Sequence, residues 1–221
     1  MLFYVGFSTR MSFFLGAAMN NVFTEETRKK IEEGIRQRYA AAAQSPEGRF
    51  RFPTGKAALE ALNYDRSILS TLPDDVLASY CGVGQPFMLD HIKQGESVLD
   101  IGCGAGVDTI IAAAMTGPHG KATGIDFVPE MVQRAKQNLQ KTKLENVTFE
   151  QGSGENLPFP NESFDCVISN GAFNLIPDKA KALREAFRVL KNNGKIMIAD
   201  QVIGEDLPSS CPADIVETWA R

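Results

Sequence analysis

Residues 98–106 read Val-Leu-Asp-Ile-Gly-Cys-Gly-Ala-Gly, and Asp126 follows the last of these glycines by twenty residues. The apolar run up to Ile101 suits a buried strand. Three glycines in five positions then demand a sharp turn, and a helical pattern starts near Val107. Asp126 closes the next strand-like run, Lys121–Asp126. Strand, glycine turn, helix and a second strand ending in an acid set a nucleotide-like ligand over the carboxyl end of a parallel sheet, against a helix N-terminus.

The spacing narrows the ligand. A dinucleotide fingerprint needs a glycine at position 107, where this chain has β-branched Val107. No Gly-Lys-Ser/Thr follows, so the phosphate-loop pattern fails as well. The glycines run G-x-G-x-G, with Asp100 two residues before the first. A carboxylate there repels a pyrophosphate and suits an ammonium or sulfonium group. S-adenosylmethionine carries both, plus a ribose diol for Asp126, and is the cofactor these residues imply.

The length of 221 residues fits one domain with an extension, and 43% hydrophobic content is ample for a core. A net charge of −4 without a Lys/Arg cluster argues against a nucleic-acid partner. No apolar run reaches the ~20 residues of a membrane span. The apolar stretch Met1 to Met19 is broken by Arg10 and lacks the charge order of a signal peptide. Met11 and Met19 offer alternative starts, so residues 1–23 are expected to be a disordered arm or a start-site artefact. Cys81, Cys103, Cys166 and Cys211 show no C-x-x-C spacing, which indicates neither a metal site nor a disulfide framework. The expectation is a cytoplasmic protein in a reducing compartment. The pattern specifies no oligomeric state.

Thr24 is an N-cap followed by Glu25 and Glu26, and Ile31, Ile35, Tyr39 and Ala42 make one apolar helical stripe, stopped at 45–48. Short helices are predicted over 56–62 and 73–79. From Ser97 onward strands alternate with helices: strands near 97–101, 121–126, 146–151, 164–169 and 195–202, helices near 107–116, 129–141 and 179–190. Asn193-Gly194 is read as the turn from the last helix into its strand. This pattern predicts an α/β fold with a doubly wound, mainly parallel sheet covered on both faces. The domains are expected as a helical segment over 24–94, covering the cofactor site, and a cofactor-binding core over 95–221.

Residues 97–202 resemble the class I S-adenosylmethionine-dependent methyltransferases, whose Rossmann-like fold this implies. Tyr80-Cys81-Gly82-Val83-Gly84-Gln85-Pro86, Gly-Pro-His-Gly at 117–120, Pro129-Glu130-Met131, Glu155-Asn156-Leu157-Pro158, Ile168 to Leu175 and Arg184 to Lys191 resemble the arsenite methyltransferase group. The resemblance implies an enzyme that transfers a methyl group to a small-molecule acceptor. It gives Asp100 to the methionine ammonium, and Gly102, Gly104 and Gly106, with Cys103 among them, to the close backbone approach. Asp126 takes the ribose hydroxyls and Phe127 lies against the adenine. Met131, Ser153, Gly154 and Glu155 complete the cofactor contacts, Ser153 standing where the family often has an acid. Tyr80 folds over the methionine end. Asn170 faces the methyl group and acceptor, and Cys81 is a candidate thiol for it.

The chain also departs from that group. Gly171 stands where the group has a cysteine, and residues 56–79 contain none, which counts against the three-thiol route to arsenite; soft thiolates are the natural ligands of a thiophilic centre. The resemblance implies that the relatives continue past Arg221 into a cysteine or selenocysteine, a helix and two antiparallel strands. A UGA codon after Arg221 is therefore an expectation, and the strand at 195–202 would be left as an exposed edge. Methyl transfer from a sulfonium relies on positioning, so the lack of a Ser-His-Asp or paired-carboxylate set is consistent with it. His91 and His119 read as surface residues. A quinone or lipid-ring methyltransferase, suggested by Leu157-Pro158-Phe159 and Phe164-Asp165, and a catalytically silent S-adenosylmethionine-binding module are the alternatives.

Overall fold

The computed structural model describes residues 2–8, as backbone, and 23–201. Helix α1 (Glu25–Gln44) starts where expected: Thr24 Oγ1 accepts from the Thr27 N–H at 3.2 Å, and Ile31, Ile35 and Ala42 are buried. Three short helices follow: α2 (Gly55–Ala61), α3 (Arg66–Leu69) and α4 (Asp74–Leu77). The α/β core then runs β2 (Ser97–Ile101), α5 (Val107–Thr116), β3 (Lys121–Asp126), α6 (Pro129–Leu139), β4 (Val147–Gln151), β5 (Phe164–Asn170), α7 (Lys179–Val189) and β6 (Leu190–Gln201).

With β1 (Leu2–Ser8) these strands form one six-stranded sheet in the order β1-β6-β5-β2-β3-β4. The five core strands are parallel, as the strand–helix alternation requires. From β2 the chain first winds outward through β3 and β4, then returns to β5 on the other side. The reversal falls between β2 and β5, where open α/β sheets carry their ligands.

Side-chain alternation fills two apolar layers. Val98, Cys166, Ile168 and Met197 pack into one with α5 and α6. Leu99, Val167, Ile196 and Ile198 pack into the other with α7. Central β2 is therefore buried almost throughout, whereas edge strand β4 alternates buried Val147 and Phe149 with exposed Thr148 and Glu150.

Two expectations need correction. Residues 2–8, assigned to a disordered arm or start-site artefact, form β1, which pairs antiparallel with β6 from Leu2↔Gln201 to Ser8↔Lys195. The row of backbone groups on β6 that would have been an open edge is paired with a run rich in strand-forming residues. Asn193-Gly194 is no turn between elements. β6 begins at Leu190, directly after α7, and Asn193 (φ 65°) sits in an irregularity of the β5–β6 pairing. Residues 9–22 and 202–221, with Cys211 and the continuation expected after Arg221, lie outside the described residues. Among those described, no helix is long and apolar enough to cross a membrane.

Candidate functional site

The turn after β2 is tied to the end of β3. Gly102 and Cys103 N–H groups both donate to the Ile125 carbonyl, at 2.8 and 3.0 Å. Gly104 N–H donates to Asp126 Oδ2 at 2.7 Å, and Val128 N–H to Asp126 Oδ1 at 2.9 Å. Gly104 has φ +52°, and a Cβ there would find only Met131 Sδ, at 4.0 Å. Its face is open toward the cleft, as a backbone cradle for a ligand must be. Gly106 differs: at φ +82° it caps α5, and a Cβ would strike Phe149 Cζ at 2.5 Å and Ala135 Cβ at 2.9 Å. It lets the helix pack on the sheet.

Above the turn lies a solvent-connected cleft of about 1100 Å³. Four buried carboxylates line it: Glu155, and the three that have no cationic partner, Asp100, Asp108 and Asp126. Asp100 accepts from Thr109 Oγ1 at 2.6 Å; Asp108 accepts from the Tyr64 hydroxyl at 2.7 Å and Asn170 Nδ2 at 2.9 Å. These partners, like those of Asp126, are all neutral. Burial drives the Asp100 carboxyl well above its ordinary range, with Asp108 and Asp126 adding to the rise. Burial also pushes Asp108 up to about 6 against the pull of Tyr64 and Asn170, and Asp126 up to about 6 against its backbone N–H donors.

Helix α1 straps the cleft. Arg28 Nη2 reaches both oxygens of Glu155, at 2.8 and 3.1 Å, and Arg28 Nη1 bonds Glu32 at 3.2 Å. Arg36 lies over the Phe127 ring, 5.4 Å from its centre. Ile35 and Tyr39, from the same helix, form part of the wall. Glu155 is buried and also accepts from Asp178 N–H at 3.0 Å, so its oxygens are committed to holding the strap. Ser153 Oγ accepts from Glu155 N–H at 3.1 Å, which leaves its hydroxyl hydrogen available as a donor.

The structure thus gathers Tyr80, Cys81, Asp100, Gly102, Cys103, Gly104, Asp126, Phe127, Ser153, Gly154, Glu155 and Asn170 around one cleft. Gly106 and Met131 are not part of its wall. Met131 is 1% exposed and packs beneath the glycine turn with Ala105 and Val128. Cys81 is half-buried and burial pushes its thiol up to about 12, so it stands as the neutral thiol at neutral pH. Asn170 reaches the cleft, yet its polar atoms are engaged by protein. Oδ1 accepts from Val83 and Gly84 N–H at 2.9 and 3.0 Å, while Nδ2 meets Asp108, Tyr80 and the Gly84 carbonyl. His91 and His119 are exposed, and Cys166 is buried in the core.

Sequence reasoning missed Asp108, Tyr64 and Arg28. Asp108 was visible two residues beyond the last glycine, in the first turn of α5. Arg28 and Glu155 are 127 positions apart, and only the fold brings them together.

Three buried carboxylates with neutral partners, facing an open glycine turn, fit a ligand that carries cationic sulfonium and ammonium groups beside a diol. Comparison with known proteins agrees. Residues 92–220 match the family described as Methyltransferase domain. An arsenite methyltransferase of Halobacterium salinarum is 34% identical over 204 residues, covering 86% of this chain and 51% of the relative. A demethylmenaquinone methyltransferase of Listeria welshimeri is 36% identical over 112 residues, covering 51% and 48%. The chain spans about half the length of the curated relatives it matches. Among solved structures, an arsenic (III) S-adenosylmethionine methyltransferase from Chlamydomonas reinhardtii superposes with a TM-score of 0.59 at 35% identity, over 65% of this chain and 50% of the other. The chain therefore belongs to the methyltransferase-domain family, and its cofactor is S-adenosylmethionine.

Proposed function

We propose that this protein transfers the methyl group of S-adenosylmethionine to a small, electron-rich acceptor, and that a thiol-bound arsenic(III) species is the first acceptor to test. The observation that carries the reading is the acid triplet Asp100, Asp108 and Asp126 around the open face of Gly104. When bound, S-adenosylmethionine supplies an electrophilic methyl carbon, which an acceptor lone pair takes as the sulfonium becomes a thioether.

In this reading Asp126 keeps two backbone tethers and offers its remaining lone pairs to the ribose hydroxyls. Asp100, buried and neutral-partnered, favours the ammonium group. Phe127 gives the adenine an apolar surface, and Ser153 with Gly154 offers donors to its ring. Besides Asn170 the cleft wall includes Cys81, Tyr39, Leu175 and Ile176. A thiol pushed to about 12 is no base at neutral pH, so the acceptor has to bring its own lone pair. The 34% identity to an arsenite methyltransferase supports the choice of acceptor. A cytoplasmic, reducing setting belongs to the same proposal.

A quinone-ring acceptor is the second reading, favoured by the apolar side chains of Ile35, Leu175, Ile176 and Pro177 along the cleft. One assay separates the readings: labelled S-adenosylmethionine with arsenic(III) and excess thiol, or with demethylmenaquinone. Label on arsenic supports the first and label on the quinone supports the second. Binding without transfer to either leaves a cofactor-binding module.

A further inference from the structure

Asp108, Tyr64, Tyr80 and Asn170 form a closed polar cluster between the first turn of α5, the end of β5 and the loop before the α/β core. Its members come from positions up to 106 residues apart. Two backbone N–H groups, of Val83 and Gly84, point at Asn170 Oδ1, which fixes the orientation of the amide and turns Nδ2 toward Asp108. Tyr64 donates its single proton to Asp108 Oδ1, and Tyr80 donates its own to the Gly84 carbonyl at 2.7 Å. Gly82 rests directly on this cluster, since a Cβ there would lie 2.3 Å from Asn170 Nδ2 and 2.6 Å from the Tyr80 hydroxyl. Gly171 likewise brings its backbone onto Val83.

We propose that this cluster is a positioning device: it locks residues 82–84 onto the end of β5 and so sets the Cys81–Gly82 wall at the β2–β5 end of the cleft. This inference rests on the methyl-donor reading, which gives that end to the methionine moiety and the Asp126 end to the nucleoside. Asn170 is then a positioning residue that acts through the loop, and Asp108 holds it in place while lending its charge to the cleft, a charge that the double variant below moves to position 170. A cluster whose donors and acceptors are all matched holds one arrangement sharply, because any slip leaves a buried polar group unpaired.

The test is a polarity swap. Asn170→Asp removes the donor that faces Asp108 and sets two carboxylates against each other. Adding Asp108→Asn restores the pairing with donor and acceptor exchanged: an asparagine at 108 keeps an oxygen for Tyr64 and gives its amide to the new carboxylate, which still accepts from Val83 and Gly84. The probes, followed by calorimetry, are S-adenosylmethionine and 5′-methylthioadenosine, which lacks the amino-acid end. For Asn170→Asp we expect S-adenosylmethionine affinity to fall about tenfold or more, with 5′-methylthioadenosine affinity changed by less than about twofold. Asn170→Asp/Asp108→Asn recovers S-adenosylmethionine binding to within about threefold of the natural protein. Should the single variant fail to fold, recovery of both folding and binding in the double variant supports the proposal equally. A double variant no better than the single, or equal losses for both probes, overturns the proposal. Failure of the natural protein to bind either probe overturns the methyl-donor reading itself.

Discussion

The backbone N–H of Gly104 donates to Asp126 Oδ2 at 2.7 Å, so the acid that ends β3 holds the middle of the turn that follows β2. One carboxylate thereby shapes the cradle and also faces the ligand. Replacing Asp126 by Ala removes the cradle's tether together with the two hydroxyl contacts proposed for the ribose. Hydrogen bonds to a charged group are worth roughly 1.5–3 kcal/mol each, so S-adenosylmethionine binding should weaken by about 1.5 kcal/mol or more. Calorimetry measures it, and an unchanged affinity would remove Asp126 from the site.

Gly104 and Gly106 separate binding from folding. Both have positive φ, which costs an L residue about 1–2 kcal/mol. At Gly104 a Cβ meets only Met131 Sδ, at an unstrained 4.0 Å, so Gly104→Val should fold and fail to bind. At Gly106 even Ala collides with Phe149 and Ala135, so Gly106→Ala should lower the thermal midpoint more than Gly104→Ala does. Thermal denaturation beside calorimetry gives both readouts, and a reversed order would refute the assignment.

Asp108 and Asp126, each pushed from 3.8 to about 6, tie the site to pH. A folded-state pKa above the unfolded one contributes stability that is fully present below about 3.8 and is lost as pH rises through about 6. Cofactor affinity runs the opposite way, because each lost proton adds a negative charge that favours a cationic ligand. Tyr39, Cys81 and Cys103 face the same space, and burial raises all three, which keeps them protonated through this window; burial raises Asp100 as well. The rise in melting temperature on adding S-adenosylmethionine should therefore be larger at pH 7 than at pH 5. An equal rise at both would contradict the assignment.

Arg28 fastens α1 across the cleft through Glu155, which is 8% exposed in its side chain against 21% for Arg28. Arg28→Ala leaves that carboxylate with only the Asp178 N–H, at a cost of about 1–2 kcal/mol after allowing for solvent at the guanidinium. Hydrogen exchange should quicken across residues 25–44 and S-adenosylmethionine should dissociate faster. Unaltered exchange in α1 would show that Ile31 and Ile35 hold the strap without the ion pair.

Much of this fold was legible because its core elements obey local rules. Strands 97–101 and 121–126 and helix 107–116 were read with the bounds observed, since continuous apolar runs and the glycine turn leave little choice. Leu2–Ser8 was misread because its strand character has meaning only when β6 offers an edge, and that edge is nearly two hundred residues away. The site divides in the same way. Asp100, Gly104 and Asp126 announce themselves by spacing around one turn. The spent amide of Asn170, the grip of Arg28 on Glu155 and the Tyr64–Asp108 bond depend on long-range packing that no local window encodes.

A calorimetric titration of this protein with S-adenosylmethionine, run in parallel with NAD, decides which ligand the glycine turn and Asp100 accept. Saturable binding of S-adenosylmethionine that is lost in Gly104→Val is expected, with no binding of NAD, whose pyrophosphate meets Asp100. Saturable NAD binding, or S-adenosylmethionine binding undisturbed by Gly104→Val, would contradict this assignment.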